Sequence, residues 1–166
     1  GEPVAGDHGL EAERVAHRLD QLPANSGIEI AVAGRSNAGK SSAINRICRQ
    51  HGLAKTSKLP GRTRQLVVFS AADERLLVDL PGYGFARRSK AERSAWASLI
   101  EGYLIGRVTL RAVVAIIDVR RGLEADDRDL LELLATPPRV SRPPLTTLVV
   151  ATKLDKLPLS KQKLEL

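Results

Sequence analysis

The chain has 166 residues, 43% of them hydrophobic and 27% charged, with 26 Lys and Arg against 19 Asp and Glu for a net charge of +7. That is the balance of one globular domain with a core of its own, and it excludes disordered, collagen-like and low-complexity chains. A single cysteine excludes an internal disulfide framework and points to a reducing compartment, and the longest apolar run, Ala112 to Ile117, falls far short of the ~20 residues a membrane span needs.

Residues 1–27 read as a polar arm without the apolar centre of a signal peptide, carrying a short helix over Leu10 to Leu19. Beginning at Gly1 and holding no methionine, the sequence reads as a trimmed chain. Ile28 to Ala33 is a buried strand, and Ser41 to Arg49 a helix with Ile44, Ile47 and Cys48 on one face. Cys48 is expected in the core there. Gly52 to Thr63 is a basic loop. Gln65 to Ser70 and Arg75 to Leu80 are strands close enough to form a hairpin, followed by a Gly-rich loop from Pro81 to Ser89. Ser89 to Arg107 is an amphipathic helix with Trp96, Leu99, Ile100, Tyr103 and Leu104 on its apolar stripe, so Trp96 belongs to the core. Arg111 to Ile117 is a buried strand, and Glu124 to Ala135 is a helix with acids in its first turn. A Pro-rich connection leads to the strand Leu145 to Ala151, and Ser160 is expected to cap a further helix. Strands alternating with helices give an α/β fold: a mostly parallel sheet with one antiparallel hairpin strand and helices on both faces.

The charge is uneven. Between Ile30 and Ala72 there is no acidic residue, while Arg35, Lys40, Arg46, Arg49, Lys55, Lys58, Arg62 and Arg64 all fall there. This is either a solvated basic surface or a patch that faces a polyanion.

Four motifs carry chemistry. Gly34 to Ser41 reads GRSNAGKS and fits the phosphate-binding loop of P-loop NTPases, between a strand and a helix. Gly34 and Gly39 let the backbone wrap a phosphate, and the amides of Arg35, Ser36, Asn37, Ala38 and the helix start at Ser41 and Ser42 form an anion nest. Lys40 reaches the β- and γ-phosphates, and Ser41 offers its hydroxyl to Mg²⁺. Asp79 and Gly82, in LLVDLPG, form the second half of such a site: a carboxylate for Mg²⁺ and an amide for the γ-phosphate. Thr63, in PGRT with Pro60 and Gly61, can complete the Mg²⁺ shell. Thr152, Lys153 and Asp155, in TKLD, follow the last strand; the carboxylate can accept from N1–H and N2–H₂ of guanine, a pattern adenine lacks, and Lys153 can lie along the base. Lys40, Thr63, Gly82 and Asn37 are thus the candidate catalytic residues, and Ser41, Thr63 and Asp79 the candidate metal ligands. Tyr83 stands where Ras-type enzymes carry a glutamine that orients the attacking water, which implies slow intrinsic hydrolysis.

In this order the motifs are those of a Ras-like G domain. GRSNAGKSS, PGRT, VDLPGYGFA and TKLDK, spanning about Gln21 to Lys156, resemble the EngB (YihA) family of bacterial ribosome-biogenesis GTPases. The resemblance implies a cytoplasmic, monomeric G domain over 28–166, GTP or GDP with Mg²⁺ as ligands, a role in assembling the large ribosomal subunit and a link to cell division and septation. By likeness to related GTPases with an asparagine at this position, Asn37 is expected either to help bind K⁺ beside the phosphates or to stabilise the loop by a hydrogen bond. The family's Ser-Ser or Ser-Ala loop behind the guanine has no counterpart before Leu166, so the domain reads as C-terminally incomplete. The basic residues of the two switch segments, Lys55, Lys58, Arg62, Arg64, Arg87 and Arg88, are the expected face for ribosomal RNA. Three alternatives remain at this point: a tRNA- or RNA-linked GTPase of the MnmE or Era type, a P-loop ATPase or small-molecule kinase, and a nucleotide-gated binding module that does not hydrolyse.

Overall fold

A computed structural model describes residues 12–24, 27–54, 65–71, 73–84 and 89–162. Its described strands are β1 (Ala12–Ala16), β2 (Ile28–Gly34), β3 (Leu66–Ala71), β4 (Arg75–Asp79), β5 (Leu110–Asp118) and β6 (Thr146–Thr152). The described helices are α1 (Lys40–Ile47), α2 (Lys90–Gly106), α3 (Ala125–Ala135) and α4 (Leu159–Gln162). The strands form one sheet in the order β1-β3-β4-β2-β5-β6. β4, β2, β5 and β6 pair in parallel, and β3 runs against both of its neighbours. One reversed strand in a parallel sheet is the expected arrangement.

The core lies on both faces because successive strand residues point to opposite sides. Ala31, Ala33, Val113 and Ala115 pack with Ile100, Tyr103, Leu104 and Leu130, so α2 and α3 cover one face. Val32, Phe69 and Ile116 pack with Ile44, so α1 covers the other. α2 starts where its sequence predicts, with Ser89 Oγ accepting from the Glu92 amide (3.2 Å) and Glu92 accepting from the Ser89 amide (2.8 Å).

Three expectations are corrected. The short helix of the N-terminal arm is absent over the described part of Leu10 to Leu19: Ala12–Ala16 is a strand paired antiparallel with β3, and a 3-10 turn follows at Leu19–Gln21. So short a helix is marginal in water, whereas β3 offers an edge of unpaired amides and carbonyls that this segment closes. Ile47 is 61% exposed, although Ile44 is fully buried and Cys48 packs beside it. The returning chain covers Ile44 and Cys48, with Leu53 and Ala54 in the same cluster and Ala54 clamped by Asn45 through both its main-chain groups (2.6 and 3.0 Å), and Ile47 is left outside it. Ser160 lies within α4, whose first turn is closed by the Lys161 amide donating to Pro158 O (2.8 Å). The preceding proline carbonyl performs the role expected of the serine.

Candidate functional site

The site forms at the C-terminal ends of the parallel strands, where β2 runs through the glycine-rich loop into α1. This is the end at which open α/β sheets bind ligands. Gly39 caps α1 with φ +94°, a left-handed conformation that a side chain resists. The turn presents the first-turn amides of α1, from Lys40 onward, which by geometry have no intrahelical carbonyl. Ser42 is exposed and Ser41 half-buried at the helix start.

Three of the four motifs lie together: the phosphate loop, the Asp79–Gly82 segment and the start of TKLD. Lys40 Nζ is paired with Asp79 Oδ1, and both side chains are nearly buried. Burial pushes the Asp79 carboxyl above its ordinary range, and the Lys40 charge pulls it back. The Thr152 hydroxyl bonds to Ala38 O, and Lys153 Nζ donates to Asn37 O and pairs with Asp118 at 3.3 Å. The end of β6 is therefore tied to the phosphate-binding loop from behind. A methyl added at Gly82 would stand 3.5 Å from Ser36, which places the Asp79–Gly82 segment against the same loop. Asp155 is exposed, in a 3-10 turn at Leu154–Lys156, with Lys156 3.4 Å away.

Three residues of the expected phosphate nest are engaged elsewhere, Ser36 and Ala38 through their amides and Arg35 through its side chain. The Ser36 amide donates to Tyr83 O at 2.7 Å, and the Arg35 guanidinium pairs with Glu124 (2.7 Å) and Asp126 (3.3 Å) at the start of α3. The Ala38 amide donates to Arg35 O at 3.1 Å. The cradle thus rests on Asn37, Gly39, Lys40, Ser41 and Ser42, with Gly34 at its entry. Pro60, Gly61 and Thr63 lie outside the described residues, as do Lys55, Lys58, Arg62, Arg64, Arg87 and Arg88.

Tyr83 is the largest surprise. It is 4% exposed, its ring stacks at 59° and 5.6 Å on Trp96, and its hydroxyl donates to Asp127 Oδ1 at 2.7 Å. Burial and the neighbouring Asp127 carboxylate raise its pKa far above that of an ordinary tyrosine. Such a side chain is an anchor and does not orient water. Trp96 is partly buried against the core, as expected, and its Nε1 donates to Pro81 O at 3.1 Å.

Sequence reasoning also passed over Asp118. This residue ends β5 and is held far below the carboxylate range by hydrogen bonds from Arg120 and Lys153, with burial opposing. An acid closing the apolar run AVVAII is the signal that marks it.

Ser41 and Asp79 offer oxygen donors, which suits a hard cation such as Mg²⁺ held by one or two side chains together with phosphate and water. Among the described residues no cluster of three or more His, Cys, Asp or Glu could hold a metal without such help.

Comparison with known proteins agrees with this geometry. A family described as 50S ribosome-binding GTPase matches residues 29–153. The probable GTP-binding protein EngB of Xylella fastidiosa (strain 9a5c) is 46% identical over 141 residues, covering 85% of this chain and 68% of that protein. Its counterpart in Bordetella pertussis is 48% identical over 150 residues, covering 86% and 70%. That of Colwellia psychrerythraea is 45% identical over 147 residues, covering 89% of this chain but 63% of its relative. Among solved structures, a probable GTP-binding protein EngB superposes with TM-score 0.57 at 24% identity, covering 81% of this chain and 84% of that one. Era in complex with MgGDPNP and a segment of 16S ribosomal RNA superposes with TM-score 0.54 at 20% identity, covering 82% and 43%; at these identities the two structures bear on the fold. A phosphate loop, a carboxylate-to-glycine segment and a TKLD turn gathered at one end of a parallel sheet, together with these relatives, mean that the chain belongs to the EngB family of GTP-binding proteins, P-loop GTPases.

Proposed function

We propose that the protein is a nucleotide-dependent switch, slow in hydrolysis, that acts on the large ribosomal subunit during its assembly. The observation that carries this reading is the meeting of Lys40, Asp79, Gly82 and Lys153 at one sheet end, beside a chain segment from Ile30 to Ala72 that holds bases and no acids. Lys40 and the first-turn amides of α1 neutralise the β- and γ-phosphates, and the Gly82 amide meets the γ-phosphate. Ser41 and Asp79, with Thr63, supply oxygen donors for Mg²⁺, which contributes neutralisation of phosphate charge. Asp155 accepts from guanine, and Lys153, held by Asn37 O and Asp118, supports the base. Asn37 is the candidate for a K⁺ contact beside the phosphates. Hydrolysis is slow because Tyr83, which follows Gly82, has its hydroxyl committed to Asp127.

The basic residues exceed what a nucleotide needs, and the exposed Arg46 on α1 and Arg49 just beyond it continue the charge toward solvent. Ribosomal RNA, recognised by phosphate and shape, is the polyanion this suits. A ribosomal target implies action in the cytoplasm, and a defect in subunit assembly is the reading of the link to septation. Among the described residues no helix is long and apolar enough to cross a membrane. The test is co-sedimentation with large ribosomal subunits in a GTP analogue, in GDP and without nucleotide, at two salt concentrations. Binding confined to the analogue and weakened by salt is expected. Equal binding in all three states would overturn the switch and favour the RNA-linked GTPase reading.

A further inference from the structure

The residues around Gly82 are held at more points than a freely moving switch requires. Pro81 O accepts from Trp96 Nε1 (3.1 Å), and the Tyr83 main chain bonds the phosphate loop in both directions, to the Ser36 amide (2.7 Å) and Gly34 O (3.4 Å). The Tyr83 side chain reaches Asp127, which is 1% exposed and whose other oxygen accepts from the Glu124 amide at 2.9 Å. Gly84 has φ +80°, and a methyl there would fall 2.6 Å from the Arg35 guanidinium carbon, so Arg35 lies directly over this turn. Arg35 is in turn fixed by Glu124 and Asp126. The first turn of α3 therefore grips both sides of the γ-phosphate position: the entry of the phosphate loop through Arg35, and the Gly82 segment through Tyr83.

We propose that Asp127 is a positioning residue for the γ-phosphate: by holding Tyr83 it aims the neighbouring Gly82 amide, so that the start of α3 sets the preference for nucleoside triphosphate over diphosphate. This rests on the reading of Gly82 as the γ-phosphate donor. Chemically the arrangement is more than packing. A phenylalanine at 83 would keep the ring on Trp96 and the main-chain bonds to the phosphate loop. The hydroxyl-to-carboxylate bond adds direction, because it fixes where the tip of the ring points and so limits movement of the Tyr83 backbone that follows Gly82. Glu124 and Asp126 complete the device by drawing the Arg35 charge away from the buried Asp127.

The experiment measures the affinity of the whole chain for fluorescent GDP and for a non-hydrolysable GTP analogue, with thermal stability recorded beside it. Tyr83→Phe and Asp127→Ala are expected to weaken the analogue about tenfold and GDP less than about twofold, one hydrogen bond's worth of aim lost at one phosphate. Asp127→Asn keeps one oxygen that can accept from Tyr83 but sets its NH2 against the Glu124 amide, and is expected to recover part of the loss. Equal weakening of both nucleotides, or a fall in melting temperature with the ratio unchanged, would overturn the proposal by making the pair structural. Tyr83→Phe keeps the test available if Asp127→Ala fails to fold. Gly82→Pro, which removes the amide itself, separates the two levels, with the melting curve reporting whether the variant folds. If that change leaves the analogue-to-GDP ratio untouched, the reading of Gly82 falls and the proposal with it; if it moves the ratio and Tyr83→Phe does not, the proposal falls by itself.

Discussion

The chain has two tyrosines, and each is buried with its hydroxyl on a buried carboxylate. They stand at opposite ends of the sheet. Tyr103 donates to Glu29 Oε2 at 2.9 Å, where β2 begins. The other Glu29 oxygen accepts from Arg107 Nε and the Thr109 hydroxyl, each at 2.8 Å, and from a second Arg107 nitrogen. Arg107 also donates to Pro23 O at 2.7 Å, and Arg142 donates to the carbonyls of Arg107 and Leu104. Glu29 thus has a cation and neutral donors on it. Asp127, at the phosphate end, takes Tyr83 and one backbone amide, while Arg35 pairs with its neighbours Glu124 and Asp126. The saturated cluster closes the bottom of the fold. The sparser one sits beside the groups that must respond to a ligand. Saturation, and not burial, separates a polar cluster that holds a fold from one that tunes a site.

The largest break in this comparison comes from removing the cation at the closed end. Arg107→Met leaves Glu29 buried without its charge partner and is expected to cost about 3–5 kcal/mol of stability. Nucleotide affinity of the folded fraction should be unchanged, since the cluster lies across the sheet from the phosphate loop. Denaturant unfolding with and without GDP checks both halves. Replacing Glu29 and Arg107 together by Met should return much of the loss, because the desolvation of both charges disappears with them. A double variant as unstable as the single one would mean that shape, not charge, holds that end.

The second break is at Lys40. Lys40→Ala removes a phosphate contact and leaves the buried Asp79 carboxylate without its cation. Affinity for both GTP and GDP is expected to fall about 100-fold, the scale of truncating one member of a desolvated charge pair. The smaller change in global stability is the sharper result: here a buried ion pair serves the ligand, whereas Glu29 and Arg107 serve the fold. Isothermal titration with each nucleotide, beside a melting curve, reads both. A loss confined to stability would reverse the assignment of the two ends.

Asp155 gives a third contrast, function without burial. Its carboxylate is 73% exposed, so Asp155→Asn should leave the melting temperature where it is. The asparagine turns an acceptor-only group into one that also presents donors, and the guanine preference should fall by about 10-fold or more. Competition between GTP and xanthosine triphosphate measures it, with the variant gaining affinity for xanthosine. An unchanged preference would move guanine recognition away from the TKLD turn.

These contrasts also mark what could be read from the residues in order. The phosphate loop, Asp79, Gly82 and Asp155 were legible because each belongs to a short pattern whose chemistry is local to a strand end. The hairpin, the Ser89 cap and the apolar stripe of α2 were legible for the same reason. Tyr83 was not, because its partner Asp127 lies 44 residues away and looks, in sequence, like one more acid in a helix's first turn. Arg35 sat inside a phosphate-binding pattern, yet its guanidinium answers to Glu124 and Asp126. The strand at Ala12–Ala16 was decided by a vacant edge on β3, which no window of five residues contains. Glu29 falls within an apolar strand as an apparent interruption and proved to be the centre of the closed end, since the donors that neutralise it come from α2 and the start of β5.

The finest distinction between the two ends is kinetic access to the hydroxyls, and it can be read from tyrosinate absorbance. Burial first, and the adjoining carboxylate second, raise both tyrosines above the ordinary value near pH 10; for Tyr103 the same two causes act in the same order. The sign follows from linkage. Above about pH 10 the unfolded chain releases phenolic protons that the folded chain keeps, so stability is fully present below that pH and falls as pH rises, by up to about 1.4 kcal/mol per unit for each tyrosine. With Tyr103→Phe the signal comes from Tyr83, and with Tyr83→Phe from Tyr103. Opening the sparse cluster breaks fewer bonds than opening the saturated one, so Tyr83 is expected to ionise before Tyr103, while far-ultraviolet dichroism is still native. A GTP analogue should close that gap by holding the Gly82 segment, and GDP should not. If both hydroxyls ionise together with global unfolding, whatever nucleotide is present, the phosphate end is as closed as the other and the contrast drawn from saturation fails.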